Sequence, residues 1–303
     1  MYNFLQRLQS PYVSGLLLAL CGTFMFSTKP ILIKQVYQLG VDSSQLIALR
    51  MLFAAPLYFI VGCVLWFKHQ PKQREYIANA PVILLLGILG YYIASYLDLM
   101  ALQYISAQLE RVVLFCFPTL VVLFSRWFLK TPMPRNIGWV LGLSYLGIFL
   151  IFGHDIITLG DEVALGTFLV FIGAVSFAFY TLFSKKLIGR VGSLMFTCIA
   201  MISASMVIFI HFALTHDFAA LNVGNEALLL TATIAIFATV IPSFLVAEAI
   251  SRLGPEQTSV VGTTGPVITS ILAVIILGEA FTPYHFAGLS LVILAVYIMI
   301  KSR

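Results

Sequence analysis

Charge is what this sequence has least of. Lysine, arginine, aspartate and glutamate make up 10% of its 303 residues, against 61% hydrophobic ones. A soluble domain carries roughly 25% charged and about 45–50% apolar residues. Too few polar side chains are present to coat a water-facing globule of this size, so the bilayer is the expected solvent. Cysteine is nearly absent too. Cys21, Cys63, Cys116 and Cys198 lie inside apolar runs with no C-x-x-C or Cys/His ligand spacing, and read as small packing residues. No H-E-x-x-H, G-x-S-x-G or paired His/Asp site occurs, which leaves an intramembrane enzyme without its chemistry. The histidines carry no metal spacing: His69, His154, His216 and His285 sit in or beside expected loops and His211 near a span end. No metal and no cofactor is therefore expected. The net charge of +5 is not gathered on one face, as a nucleic-acid binder requires.

What is present is long apolar runs. Crossing about 30 Å of hydrocarbon takes about 20 helical residues. The sequence predicts ten spans, at 12–33, 44–67, 80–102, 106–129, 136–153, 164–184, 193–214, 227–251, 256–277 and 283–300. The first run is too long for a cleavable signal peptide, whose apolar region is about 7–15 residues. With the N-terminus inside, thirteen of the 17 lysines and arginines fall on the inner side, from Arg7 through Lys72 to Arg303. Lys34 alone falls outside, and Lys29, Arg50 and Arg111 lie within spans. This asymmetry predicts cytoplasmic termini and an outward loop from His154 to Glu162.

The two halves repeat. Gly15, Gly22, Phe26 and Lys34 match Gly166, Gly173, Phe177 and Lys185 at a constant offset of 151, and Pro118 and Leu129 match Pro266 and Leu277 at 148. Five spans per half is odd, so the second copy enters from the opposite side. The expected fold is an all-α membrane protein of ten transmembrane helices in two inverted five-helix repeats, residues 1–155 and 160–303. That is a transporter architecture.

The residues also resemble a known family, the drug/metabolite transporter superfamily, in its bacterial group with two EamA-type repeats. The stretch from Cys21-Gly22 to Lys29 is similar to the family's Trp-Gly…Lys segment with Cys in place of Trp. Arg50 in Ala-Leu-Arg-Met-Leu matches the second-span arginine. Ala101 to Pro118 resembles the passage from third to fourth span, with its counterpart from Ala249 to Pro266 followed by Leu277-Gly278-Glu279. The first half has Leu129-Lys130 where many members have Gly-Glu. The resemblance implies a bacterial inner-membrane carrier of small metabolites such as amino acids or amines, often outward. Its implied partners are a small-molecule substrate and the lipid bilayer, as a monomer or homodimer.

Six ionisable side chains fall within spans: Lys29, Arg50, Asp98, Glu110, Arg111 and Glu248. Each costs about 2.5–3.5 kcal/mol at a helix centre, so each needs a partner, water or a function. The first five share a depth, roughly 5–10 Å inside the outer boundary at about 1.5 Å per residue, so they can meet across four helices. They form either a pairing network that closes a gate or a polar site that meets a charged substrate. Glu248 pairs with Arg252 by i,i+4 spacing. Tyr91 and Ser95 share a helix face with Asp98, and Tyr180 occupies the second-repeat position of Lys29. Thr263 and Thr264, before Gly265-Pro266, either line the cavity or belong to a packing break; Thr264 is the preferred cavity residue. The function expected is metabolite efflux by alternating access. A lipid flippase, a channel or an intramembrane enzyme are the alternatives. Asp98 and Glu110 can take protons and couple transport to a proton gradient, or stay ionised beside the three bases.

Overall fold

The computed structural model describes residues 11–130, 136–253, 258, 261–262 and 264–301. Among these are eight helices long and apolar enough to cross a membrane: α1 (Tyr12–Gln38), α2 (Ser43–Lys68), α3 (Gln70–Ala101), α4 (Ala107–Leu129), α5 (Ile137–Leu159), α6 (Glu162–Val191), α7 (Ser193–Thr215) and α8 (Asn225–Ala249). Two shorter apolar helices follow, α9 (Thr264–Leu277) and α10 (Pro283–Ile298). No strand occurs among the described residues. The chain is an all-α membrane protein built from two inverted five-helix repeats. Part of the predicted ninth span, Thr263 included, lies outside the described residues.

Several helices overrun their predicted ends. α1 continues to Gln38, α3 begins at Gln70 and α5 continues to Leu159, rather than 33, 80 and 153. Hydrocarbon thickness sets a minimum length, but a helix that stops early strands four backbone groups. The start of α2 is satisfied by a side-chain cap. At α2 the cap is reciprocal: Asp42 accepts from the Ser44 and Gln45 N–H groups, and the Gln45 side chain accepts from Asp42 N–H at 2.8 Å. The extension of α5 corrects the expected outward loop. Between α5 and α6 only Gly160 and Asp161 remain, and Asp155 is buried at 3% exposure.

Packing obeys the repeat. Gly15 of α1 presses on Arg252 and Leu253, in the helical turn that continues α8, and Gly22 on Val246 of α8. Their counterparts Gly166 and Gly173 on α6 press on Tyr104, Ile105 and the Ala94 carbonyl at the end of α3. In both cases the first helix of one repeat lies on the third helix of the other, as a two-fold axis demands. α5 and α10 cross at a pair of facing glycines. A Cβ on Gly147 would lie 2.5 Å from the Gly288 carbonyl oxygen, and one on Gly288 2.5 Å from that of Gly147. Only two glycines permit this approach. α3 and α8 carry π-helical turns at Ile88–Ile93 and Ile236–Val240, whose starts are separated by the same 148 residues as Pro118 and Pro266.

The last helical turn of α4 and α9 shows where the copies diverge. Gly278 closes α9 at φ 68°, and Lys130, its equivalent after α4, takes φ 54°. A side chain in this left-handed region costs about 1–2 kcal/mol, a cost glycine escapes. Lys130→Gly should therefore stabilise the protein by about 1 kcal/mol, read as a higher unfolding temperature in detergent. An unchanged or lower temperature would show that the turn carries no strain.

Candidate functional site

The site starts from a break in α1. Pro30 has no N–H, so the Phe26 carbonyl, four residues earlier, loses its helical donor. The helix is interrupted at Thr28, whose hydroxyl donates back to Met25 O at 2.7 Å. Two side chains from other helices supply the missing donors. Arg111 Nη2 of α4 reaches Phe26 O at 3.4 Å, and Thr269 Oγ1 of α9 donates to Ser27 O at 3.0 Å. Gly265 brings α9 close enough for this: its Cβ position is 3.4–3.5 Å from Ser27 and Thr23.

Lys29 emerges at the break and meets Asp98 of α3, Nζ to Oδ2 2.8 Å. Arg50 of α2, 2% exposed, lies beside Asp98, Tyr37 and Tyr58. Glu110, fully buried, lies next to Asp98 and 3.6 Å from Arg111 Nε. The five charges that share a depth in the sequence thus converge from four helices. Beyond the Lys29–Asp98 bond and the long Arg111–Glu110 ion pair, they leave hydrogen-bonding capacity open. Among the described residues, Arg50 Nε, Arg111 Nε, Asp98 Oδ1 and both Glu110 carboxylate oxygens have no hydrogen-bond partner. Buried donors and acceptors left open together are costly, about 1–3 kcal/mol each.

A layer of tyrosines lies beside the charges. Tyr180 donates to the Tyr91 hydroxyl at 3.1 Å, ring centroids 5.1 Å apart. Tyr58, wholly buried, bonds Ser243 Oγ of α8 at 2.9 Å and neighbours both Arg50 and Tyr91. Ser95 is partly buried between Tyr91 and Asp98 along α3. Thr264 turns its hydroxyl back to Val261 O at 2.8 Å, and Thr263 lies outside the described residues. Glu248 stands apart and binds Arg252 Nε at 2.8 Å, as their spacing predicts.

Sequence reasoning missed three groups. Tyr58 is two helical turns from Arg50 on α2 and could have been found by that spacing. Glu279 accepts from the Ala107 N–H at 2.8 Å and from Gln108, so it caps α4 of the other repeat, with Lys34 3.8 Å away. Finally, His154, Asp155 and His285, read as loop residues, are brought together at the α5–α10 crossing. No local spacing could reveal a cluster joined across 130 residues of chain.

Inverted repeats of five apolar helices, with a charged centre held where a broken helix meets its neighbours, define a membrane transport protein. The chain belongs to the EamA-like transporter family, whose model matches residues 13–153 and again 164–301. It is 25% identical to the uncharacterized transporter YcbK of Bacillus subtilis, over 88% of this chain and 86% of that one. It is 27% identical to an S-adenosylmethionine/S-adenosylhomocysteine transporter of Chlamydia trachomatis, over 76% of each chain. A crystal structure shares the fold with TM-score 0.67 at 16% identity, over 94% of this chain and 95% of that one.

Proposed function

We propose that this transporter exports a small zwitterionic, amino acid-like metabolite across the bacterial inner membrane by alternating access. The observation that carries this reading is the set of open valences at one depth. Arg50 and Arg111 offer unused donors and Asp98 and Glu110 unused acceptors, all buried. A simple cation or anion would satisfy one sign and leave the other bare. A cargo bearing both a carboxylate and an ammonium answers both. The named cargoes of the Chlamydia relative both contain an α-amino acid group, which supports the same chemistry. The Tyr58–Tyr91–Tyr180 layer offers aromatic and hydroxyl contacts to the rest of the molecule, with Ser95 and Thr264 as further polar groups at its edge. Protons are the natural coupling ion, taken up at Asp98 or Glu110 when the cargo leaves.

In this reading the Lys29–Asp98 pair is the closed form of the site, exchanged for contacts to cargo. Removing one partner of a buried pair costs about 3–5 kcal/mol, whereas replacing both is close to neutral. Lys29→Ala and Asp98→Ala should each lower detergent stability by about that amount, and the double variant should recover it. Transport by the double variant, measured as amino acid counterflow in proteoliposomes, should stay abolished. Wild-type counterflow from it would reduce the pair to scaffolding.

Arg50→Ala and Glu110→Ala should reach the membrane in normal amounts, because both remove a charge that is costly to bury, yet lose about tenfold or more of counterflow, equivalent to about 1.4 kcal/mol. Normal transport by well-expressed variants would remove the charge cluster from the site.

The orientation has its own test. A cysteine at the exposed Asp161 should react with an impermeant thiol reagent in intact spheroplasts, and one at Lys72 only after permeabilisation. The opposite pattern reverses the topology and with it the direction of export.

A further inference from the structure

We propose that His154, Asp155 and His285 form a Zn²⁺ site that pins α5 of the first repeat to α10 of the second. The three residues are buried or nearly so, with side chains 16%, 4% and 3% exposed. His154 Nδ1 lies 3.3 Å and His285 Nε2 3.4 Å from the same atom, Asp155 Oδ1, and the donor atoms all fall within 4.8 Å of one another. Those separations are long for hydrogen bonds to a carboxylate, which are about 2.7–2.9 Å when charged. The two separations from Asp155 match edges of a tetrahedron around zinc, whose bonds to nitrogen and oxygen of about 2.0–2.2 Å place neighbouring donors about 3.3–3.5 Å apart. The two imidazoles, within 4.8 Å of each other, close on the ion as it binds. Two imidazoles and a carboxylate are a zinc donor set, with the fourth position left to water.

The surroundings orient the donors as a metal site requires. Ser106 Oγ donates to Asp155 Oδ2 at 2.6 Å, which leaves Oδ1 for the ion. His285 Nδ1 lies 2.8 Å from Thr282 Oγ1 and 3.3 Å from the Thr282 N–H. Without an ion the Thr282 N–H donates to Nδ1 and the ring proton lies on Nε2; zinc on Nε2 would displace that proton to Nδ1, which would then donate to Thr282 Oγ1. The rings of His154 and His285 meet edge to face at 5.0 Å, and Tyr284 covers His154. The crossing helices are already fixed at Gly147 and Gly288, so the ligands are held in register before an ion arrives. The site is separate from the charge cluster and does not depend on what that cluster carries.

The test uses full-length, tag-free protein in detergent, stripped with a chelator and titrated with Zn²⁺ alone, then with Co²⁺ as a visible reporter. One equivalent should bind per chain, with the absorption of tetrahedral Co²⁺ and a raised unfolding temperature. Asp155→Asn and His285→Gln should abolish that equivalent. Ser106→Ala should weaken it by about 10–100-fold, the usual effect of an outer partner. His216→Ala, whose contacts are to Asp42, Thr215 and Phe212 and not to the three ligands, should leave it intact. A wild-type protein that takes up no stoichiometric zinc overturns the proposal whatever the variants do, and leaves the cluster as an imidazole–carboxylate hydrogen-bond network. Wild-type stoichiometry in folded Asp155→Asn and His285→Gln overturns it equally.

Discussion

A carbonyl group in hydrocarbon must find a donor, and much of the first repeat is arranged around the two carbonyls exposed at one break in α1. Pro30 cannot close the turn on Phe26, and water is not at hand to do so. The donors come from Arg111 and Thr269. One is a charged residue of the same repeat and the other a hydroxyl of the opposite repeat. Arg111 is thereby held where its Nε faces Glu110, and Glu110 where it faces Asp98. Lys29, the next residue after the break, completes the group through Asp98. The charge cluster is thus a consequence of a backbone defect, and the defect is satisfied only when both repeats are assembled.

The scaffold is symmetric while the chemistry is not. Paired glycines, paired π-turns and the Gly147–Gly288 crossing relate the halves residue by residue. Yet at the repeat spacing of 148 the equivalents of Asp98 and Glu110 are Val246 and Thr258, and at 151 that of Lys29 is Tyr180. The second repeat has exchanged charge for apolar, hydroxyl and aromatic groups at the same places. Two copies of a charged centre facing each other would repel, and each buried charge costs several kilocalories. The charges and two of the tyrosines, Tyr58 and Tyr91, come from the first repeat, and the second contributes Tyr180 and Ser243 to the same layer.

Legibility followed the range of the interaction. The apolar helices, the repeat and the meeting of the five charges are written in local hydropathy and in helical rise; where ten spans are expected, the described residues give eight helices long enough to cross and two shorter apolar ones. The i,i+4 pair of Glu248 and Arg252 is likewise local. Helix ends were less legible, because a polar residue such as Asp155 looks like a loop unless its buried partners are known. Glu279 as the cap of α4, and His285 as the neighbour of Asp155, depend on chain segments more than 100 residues apart. No periodicity encodes them. Tyr58 stood on the same helical face as Arg50 and was legible in principle. It was obscured because a tyrosine in an apolar run reads as packing.

These long-range contacts share one location. Ser106, Ala107 and Gln108 form the first turn of α4, and each is held by an acid from elsewhere: Ser106 by Asp155 of α5, and Ala107 and Gln108 by Glu279 beyond α9. Asp155 is itself tied to His285 of α10. One end of α4 is therefore anchored to both repeats by carboxylates that sit at its positive pole. The charges of Glu110 and Arg111 lie within a turn of that anchor. Of the two acids, Glu279 alone comes from the other repeat and alone accepts from backbone N–H groups of this turn. A carboxylate of the second repeat thus caps the helix of the first repeat that carries Glu110 and Arg111.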